Sequence, residues 1–521
     1  MSNKLVEIAE DSARGGFFLF TGNALSLITL AIGSIIVARL LGPENYGLLS
    51  LSLVVPYIFA GLIDFGISSA LTRFSAKFRV EGKNGLVVSV LKSGLLFKLL
   101  IGIFMSIICL VFSDMFAAYI LNRPEIGFLI RIASFLILFQ SFFTALNSSF
   151  MGLDRMEGSA LIMNAQSIMR TTLSPLLVVL GFSVVGALTG HILSYTIATL
   201  VGSLILLKYY RGLGSPSNNS FKYNIKLMVG YGFPLYLSAL LDLFLGQYRT
   251  IILAYFTSNF EIGNFIIATN LSSLINVLVF PLGVLFPVFS KVNPNGDELK
   301  RVFRLSVKYT ALLIIPAAII IAILSRDVVY TLYGCSYNLA PLFLSLYILQ
   351  FLYAGFGSIV LGYLFSGIGE TRIILKSNLI NLSIFIPLAP LLTMLYSVSG
   401  LILALLTSSL PSLSYAVFIA IKRINVNFDL KASLRIYLAS FLSAIPIVVL
   451  LQFSPLNSLL NLIIASSIFL ITYITLIPLI GAINKSDLDN FKLMFGRLKI
   501  VWSIVKLVLI YEGRILNLRL R

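Results

Sequence analysis

A succession of apolar runs, each about as long as a bilayer is thick, constrains this chain more than any other feature. The hydrocarbon core measures about 30 Å, so a helix that crosses it needs about 20 mostly apolar residues, and irregular backbone cannot face lipid. The runs predict an all-α, polytopic membrane protein of fourteen spans. They lie at 16–40, 47–72, 88–113, 128–152, 159–182, 184–208, 226–254, 262–288, 305–325, 339–366, 373–396, 398–421, 433–453 and 457–481. Hydrophobic residues make up 58% of the 521 positions and charged ones 11%. A soluble domain carries about a quarter charged residues, so that class is excluded. The first run is too long for a signal-peptide core and lacks a small-residue cleavage pattern, so its helix is expected to stay in the mature protein.

Charge sets the orientation. Roughly thirty-one of the 38 Lys and Arg residues fall on the side of the N-terminus, against about five (Arg39, Arg123, Arg131, Arg249, Arg326) on the other. By the positive-inside rule both termini are cytoplasmic. The net charge of +18 is dispersed over juxtamembrane loops without a recognition fold, so it implies anionic lipid headgroups as partners and no nucleic acid. In the tail, Lys492, Lys499 and Lys506 recur every seven residues among Leu, Ile, Val and Trp502, which predicts an amphipathic helix on the cytoplasmic surface.

The chain repeats itself. Gly15-Gly16-Phe17-Phe18-Leu19 opens the first span and Tyr231-Gly232-Phe233-Pro234-Leu235 the seventh, and the turn ending at Gly47 matches the turn ending at Gly263, both at an offset of 216. Phe74-Ser75 and Phe289-Ser290 keep 215, as do Gly152 and Gly367 with the polar turns that follow them. Six spans separate equivalent landmarks, so the copies enter from the same side and are parallel repeats. The expected organisation is a six-helix lobe over 1–208, a cytoplasmic linker over 209–225, a second six-helix lobe over 226–421, a helix pair over 433–481 and a basic tail over 482–521. Two parallel lobes around a central cavity can rock between inward-open and outward-open states, which points to transport.

Polar residues inside the spans give the candidate site. Tyr57, Gly61, Asp64 and Ser68 recur at i, i+4, i+7 and i+11, and Asp242, Gly246 and Arg249 share a face in the same way. Uncharged stripes comprise Asn23, Ser26 and Gly33; Gln140, Thr144 and Asn147; Asn164, Ser167, Thr171 and Ser174; and Thr269, Ser273 and Asn276. Small and hydroxylated residues often do no more than let helices pack. A charge at membrane depth costs several kcal/mol unless it faces water or a partner, which singles out Asp64, Arg170, His191, Asp242 and Arg249. Arg249 near a span end can instead snorkel to the interface, and neutral His191 can simply hydrogen-bond locally.

Two cysteines and one histidine predict neither a disulfide framework nor a metal site, and no cofactor is implied. There is no Gly-x-x-x-x-Gly-Lys-Ser/Thr loop to hydrolyse nucleotide, so an ion gradient, the membrane potential or the substrate gradient must supply energy. The longest outward loop, about 114–127, is too short for a catalytic domain, and the chain is read as a non-enzyme.

Ala38-Arg39-Leu40-Leu41-Gly42-Pro43-Glu44-Asn45-Tyr46-Gly47, followed by Asp64-Phe65-Gly66-Ile67-Ser68-Ser69-Ala70-Leu71-Thr72-Arg73-Phe74, resembles the opening signature of the prokaryotic polysaccharide flippases. These are the O-antigen and lipid-linked oligosaccharide translocases of the multidrug/oligosaccharidyl-lipid/polysaccharide exporter superfamily. Phe280-Pro281-Leu282-Gly283 and Phe286-Pro287-Val288-Phe289-Ser290-Lys291 add to the resemblance. It implies a polyprenyl-(pyro)phosphate-linked oligosaccharide as substrate, with membrane lipids and glycan-assembly enzymes as partners. It further implies phosphate attraction by Arg39, Arg170 and Arg249, sugar contacts from Asn23, Gln140, Asn147, Asn164 and Asn276, and ion coupling at Asp64 or Asp242. A cation-coupled multidrug exporter of the same superfamily and a non-transporting scaffold for glycan assembly are the competing readings.

Fluorescent protein fused after Arg521 is expected to fluoresce in bacterial cells, whereas the same protein inserted in the 114–127 loop is expected to stay dark. A dark fusion on a well-expressed full-length chain contradicts the orientation.

Overall fold

The computed structural model describes the backbone of residues 2–217, 220–279, 285–293, 296–453, 456–495 and 499–519. The side chains of 2–17, Asp242 and Asn276 are among those outside the described set. Every regular element among the described residues is helical. The chain divides into two compact units, 1–263 and 264–521.

In the first unit α1 (Ser2–Ser52) is interrupted at Gly42, whose φ of 70° starts the turn into Pro43. Then follow α2 (Val54–Leu62), α3 (Ile67–Val80), α4 (Asn84–Val111), α5 (Ser113–Tyr119), α6 (Gly127–Gly152), α7 (Met156–Leu177), α8 (Ser183–Arg211) and α9 (Phe221–Phe256). Here α10 (Asn259–Ser272) begins, and it runs on into the second unit. The second unit continues with α11 (Ile275–Val279), α12 (Leu285–Lys291), α13 (Asp297–Ile323), α14 (Ser325–Leu332) and α15 (Ala340–Tyr347). Its remaining helices are α16 (Ser358–Gly367), α17 (Thr371–Ile424), α18 (Leu430–Phe453), α19 (Ser458–Ile480), α20 (Lys485–Phe495) and α21 (Lys499–Arg519).

Among the described residues nine helices are long and apolar enough to cross a membrane, or up to ten if the bent pair around Gly357 is one span. Three of these, at 18–62, 156–211 and 371–424, measure 45, 56 and 54 residues. One crossing takes about 20 residues, so each has the length of two. Each is interrupted where the sequence predicts a turn: at Gly42, at Gly181–Ser183 and at Tyr396–Ser397.

The repeat shows in the backbone of these turns. Ser183 and Ser397 adopt nearly the same conformation, φ 46°, ψ −130° and φ 53°, ψ −138°. After α6, Leu153, Asp154 and Arg155 donate to the carbonyls of Ser149, Met151 and Phe150; after α16, Ile368, Gly369 and Glu370 donate to those of Leu364, Ser366 and Phe365. Every pair in that set is 215 residues apart, and Asp154 and Gly369 share a positive φ.

Helix packing relies on small residues, as expected where lipid supplies no hydrophobic drive between helices. A Cβ on Gly22 would fall 2.6 Å from the Ala160 Cβ, and one on Gly33 would fall 2.4 Å from the Thr171 hydroxyl, so α1 and α7 lie backbone against side chain. The turn before Gly47 packs against the turn before Gly263 in a reciprocal contact. A Cβ on Gly47 would meet the Asn259 carbonyl oxygen at 2.0 Å, and one on Gly263 would meet the Pro43 carbonyl oxygen at 2.0 Å. Pro43 and Asn259 are themselves 216 apart, so the two copies of one turn touch through equivalent atoms.

The tail differs from the expectation of one amphipathic helix. Lys492 belongs to α20 and Lys499 and Lys506 to α21, and residues 496–498 lie outside the described residues. The apolar residues take protein contacts instead: Leu488, Leu509 and Leu516 join a core with Tyr473 and Ile477 of α19. From α13 the Lys308 ammonium donates to the Asp487 carboxylate at 2.5 Å and the Tyr309 hydroxyl donates to its other oxygen at 3.1 Å, fixing α20 in place.

Gly263→Ala and Gly47→Ala force a backbone shift and are expected to lower the unfolding temperature in detergent. Gly230→Ala, in a helix with nothing within 4 Å of the new methyl, is expected to leave it unchanged or to stabilise by up to about 1 kcal/mol. Equal melting of all three variants would show that the turn contact is loose.

Candidate functional site

Span two is not a continuous helix. It stops at Leu62 and resumes at Ile67, with Phe65 (φ 46°) and Gly66 (φ 78°) in the left-handed region between. Only glycine suits position 66 on two counts: the φ, and the approach of α9, since a Cβ there would lie 2.0 Å from the Gly232 carbonyl carbon. A break at membrane depth frees backbone groups that need partners. The Tyr236 hydroxyl donates to the Leu62 carbonyl at 3.1 Å, and the Ile67 amide donates to the Asp64 carbonyl at 2.8 Å.

The break places Asp64 opposite α4. Lys98, 1% exposed, donates from its ammonium to Asp64 Oδ1, and the Ser68 hydroxyl donates to the same oxygen at 2.5 Å. Asp64 itself is 28% exposed and fronts a cavity of ≈ 650 Å³. The lysine is thus sealed behind its carboxylate, and the pair presents the carboxylate to the open space. Sealing an ammonium demands such a partner, because an uncompensated buried charge is costly.

Six segments line this cavity. Tyr57 and Gly61 come from α2, Asp64 and Ser68 from the break and α3, and Lys98 from α4. Gln140, Ser141, Thr144, Asn147 and Ser148 come from α6, Tyr195 from α8, and Tyr236, Leu243 and Gln247 from α9. The whole stripe Tyr57, Gly61, Asp64 and Ser68 faces the cavity, and so does the stripe Gln140, Thr144 and Asn147. Asn147 Oδ1 accepts from the Ser159 hydroxyl, which holds it in the wall. Gln140 Oε1 and the Ser141 hydroxyl are shielded and have no hydrogen-bond partner.

Other predicted residues sit elsewhere. Asn164 donates to the Gly22 carbonyl at 3.2 Å and the Ala160 carbonyl at 2.7 Å, and Thr171 donates to the Thr29 carbonyl at 2.8 Å. That stripe joins α7 to α1. His191, 3% exposed, packs edge-on against Tyr57 at 6.4 Å and tilted against Tyr195 at 5.5 Å, at the rim of the cavity wall. Arg170 on α7 is close enough to act electrostatically on Tyr57 and His191 and is not among the lining residues. Nor are Asn23 and Arg39 of α1 or Arg249 of α9. The side chains of Asp242 and Asn276 lie outside the described residues. Among the described residues no group of three His, Cys, Asp or Glu side chains is placed to hold a metal ion.

The sequence stripes leave out Lys98, and with it the lining residues Ser141, Ser148, Tyr195, Tyr236, Leu243 and Gln247. A lysine ten residues into an apolar run is the same signal as Asp64 in its own span, and the two opposite charges in neighbouring spans could have been paired.

The cavity is amphiphilic: one carboxylate, hydroxyls, carboxamides and three tyrosine rings within helices that are otherwise apolar. A model described as polysaccharide biosynthesis protein matches residues 12–293, more than half of the chain. An uncharacterized membrane protein in the cps region of Klebsiella pneumoniae is 22% identical over 326 residues. That alignment takes in 60% of this chain and 63% of the relative, so the chain spans under two thirds of that relative's length. A solved structure of the lipid II flippase MurJ in an inward closed conformation is similar with a TM-score of 0.68 at 16% identity, covering 89% of this chain and 98% of that one. An inward-facing multidrug resistance MATE family transporter of the MOP superfamily is similar with a TM-score of 0.63 at 19% identity, over 77% of this chain and 94% of that one. These likenesses establish the fold.

Asp64→Asn strands the sealed Lys98 ammonium and is expected to cost about 3–5 kcal/mol in unfolding experiments. Lys98→Met is expected to cost less, because Asp64 keeps the Ser68 hydroxyl and its opening to the cavity. The reverse order would show that the lysine is not the buried partner.

Proposed function

The chain belongs to the polysaccharide biosynthesis protein family, and on that premise we propose that it is a flippase for a polyprenyl-(pyro)phosphate-linked oligosaccharide. It moves the headgroup from the cytoplasmic to the outer leaflet by alternating access, in a prokaryotic plasma membrane and with both termini in the cytoplasm. The observation that carries this reading is the polar cavity around Asp64 and Lys98 inside apolar helices. Each hydroxyl moved into hydrocarbon without a partner costs up to about 4–8 kcal/mol, so a glycan crosses only where such partners line its path. The polyprenyl tail needs none and stays in the bilayer. Arg39, Arg170 and Arg249 attract the phosphate. Asp64, the open carboxylate, is the site where an ion gradient couples to the cycle. Glycan-assembly enzymes supply the substrate on one face and consume it on the other.

A cation-coupled drug exporter is the second reading, favoured by the MATE-like fold and by a carboxylate in the cavity. Depleting the protein in its host and labelling lipid-linked glycans with a membrane-impermeant reagent separates the two. The flippase reading predicts that completed glycan accumulates facing the cytoplasm, and that Asp64→Asn restores outward exposure at least about tenfold less well than the native chain. An unchanged glycan distribution with new sensitivity to cationic drugs assigns the exporter instead.

A further inference from the structure

The flippase reading leaves open which part of the headgroup occupies the cavity, and charge and hydrogen-bonding capacity decide it. We propose that the cavity is a subsite for uncharged sugar rings and that the phosphate is held outside it. This rests on the flippase reading.

The cation in the cavity wall is already used. Lys98 is sealed and donates to Asp64 Oδ1, so the pair contributes no net charge, and the face it turns to the ligand is the carboxylate. A phosphate placed there would meet a like charge before it met the ammonium. The uncharged lining points the same way. Gln140 Oε1 is a shielded acceptor without a donor, and the Ser141 hydroxyl, 2% exposed, has no partner. The Ser141 hydroxyl can donate or accept, but the Gln140 oxygen only accepts, and an ionised phosphate has no donor to give it. Sugar hydroxyls and the N–H of an acylated amino sugar do, and they match the second oxygen of Asp64 as well. Tyr57, Tyr195 and Tyr236 add aromatic surface to the lining, which suits the C–H face of a pyranose. At ≈ 650 Å³ the cavity falls within the range of about 300–1,000 Å³ typical of small-ligand sites, enough for a short stretch of sugar and not for a long glycan.

The test uses the full-length protein in lipid nanodiscs and two probes. One is the free oligosaccharide released by mild acid from the host's own lipid-linked glycan, without lipid or phosphate; the other is inorganic pyrophosphate. The oligosaccharide is expected to bind, to slow amide exchange in the α6 segment 140–148, and to resist displacement by pyrophosphate at equal concentration. Gln140→Leu is expected to weaken its binding about tenfold, the scale of one lost hydrogen bond. Ser141→Ala, which adds no bulk, is expected to weaken it several-fold while leaving the unfolding temperature unchanged. Displacement by pyrophosphate, binding that ignores both substitutions, or no binding of the free oligosaccharide overturns the subsite. The leaflet distribution of the glycan in depleted cells reports separately on the flippase reading, so outward exposure that depends on the protein alongside a failed binding test sinks the subsite alone.

Discussion

An ammonium that is sealed from solvent at membrane depth must have a carboxylate against it, and the contact between Lys98 and Asp64 organises the first unit. Because Lys98 lies within α4, its partner has to be brought from span two at the right depth. Asp64 also faces open space, and span two is broken at that point. The break at 63–66 accommodates both. Phe65 and Gly66 turn the chain, Gly66 allows α9 to approach to backbone contact, and Tyr236 from that same helix covers the carbonyl that the break exposes. One ion pair therefore fixes the relation of α2, α3, α4 and α9, and the cavity is the space that these helices and α6 leave between them.

The same economy distinguishes polar residues that serve the site from those that serve the scaffold. On α6, Gln140, Thr144 and Asn147 face the cavity. On α7, Asn164 and Thr171 are spent on carbonyls of α1, beside Gly22 and Gly33, whose missing side chains let the helices close. In a membrane both uses satisfy the same requirement, that polar groups find partners. They differ in what the partner is: a neighbouring backbone makes a joint, and an open cavity makes a site.

Much of this was legible in the sequence, and the exceptions have physical causes. Apolar runs and turn residues located the interruptions at Gly42, 181–183 and 396–397, because the bilayer fixes span length and a turn needs particular backbone angles. The repeat was legible because the turns that keep the 215–216 offset also keep their hydrogen bonds. The stripe of Tyr57, Gly61, Asp64 and Ser68 found the cavity even though its helix is broken, since the break is short. The α7 stripe has the same periodicity and points to α1, because spacing reports a shared face and not what the face meets. Lys98 is one cation among many in a basic chain, and Tyr236, Leu243 and Gln247, though spaced at i, i+7 and i+11, carry too few polar groups among leucines to stand out as a stripe. In the tail, lysine spacing says nothing of what the apolar residues meet, and Leu488, Leu509 and Leu516 pack on the protein.

On the proposed function, the cavity around Asp64 and Lys98 carries a glycan headgroup through the bilayer. Purified protein reconstituted into liposomes with the lipid-linked glycan of its host, followed by an impermeant glycosidase or oxidant, tests it most directly. Nearly all of the glycan is expected to become accessible from outside when the native chain is present, against about half in protein-free liposomes, and Asp64→Asn is expected to return the fraction toward half. Accessibility that stays at about half with correctly folded native protein, under an imposed ion gradient of either sign, would contradict it.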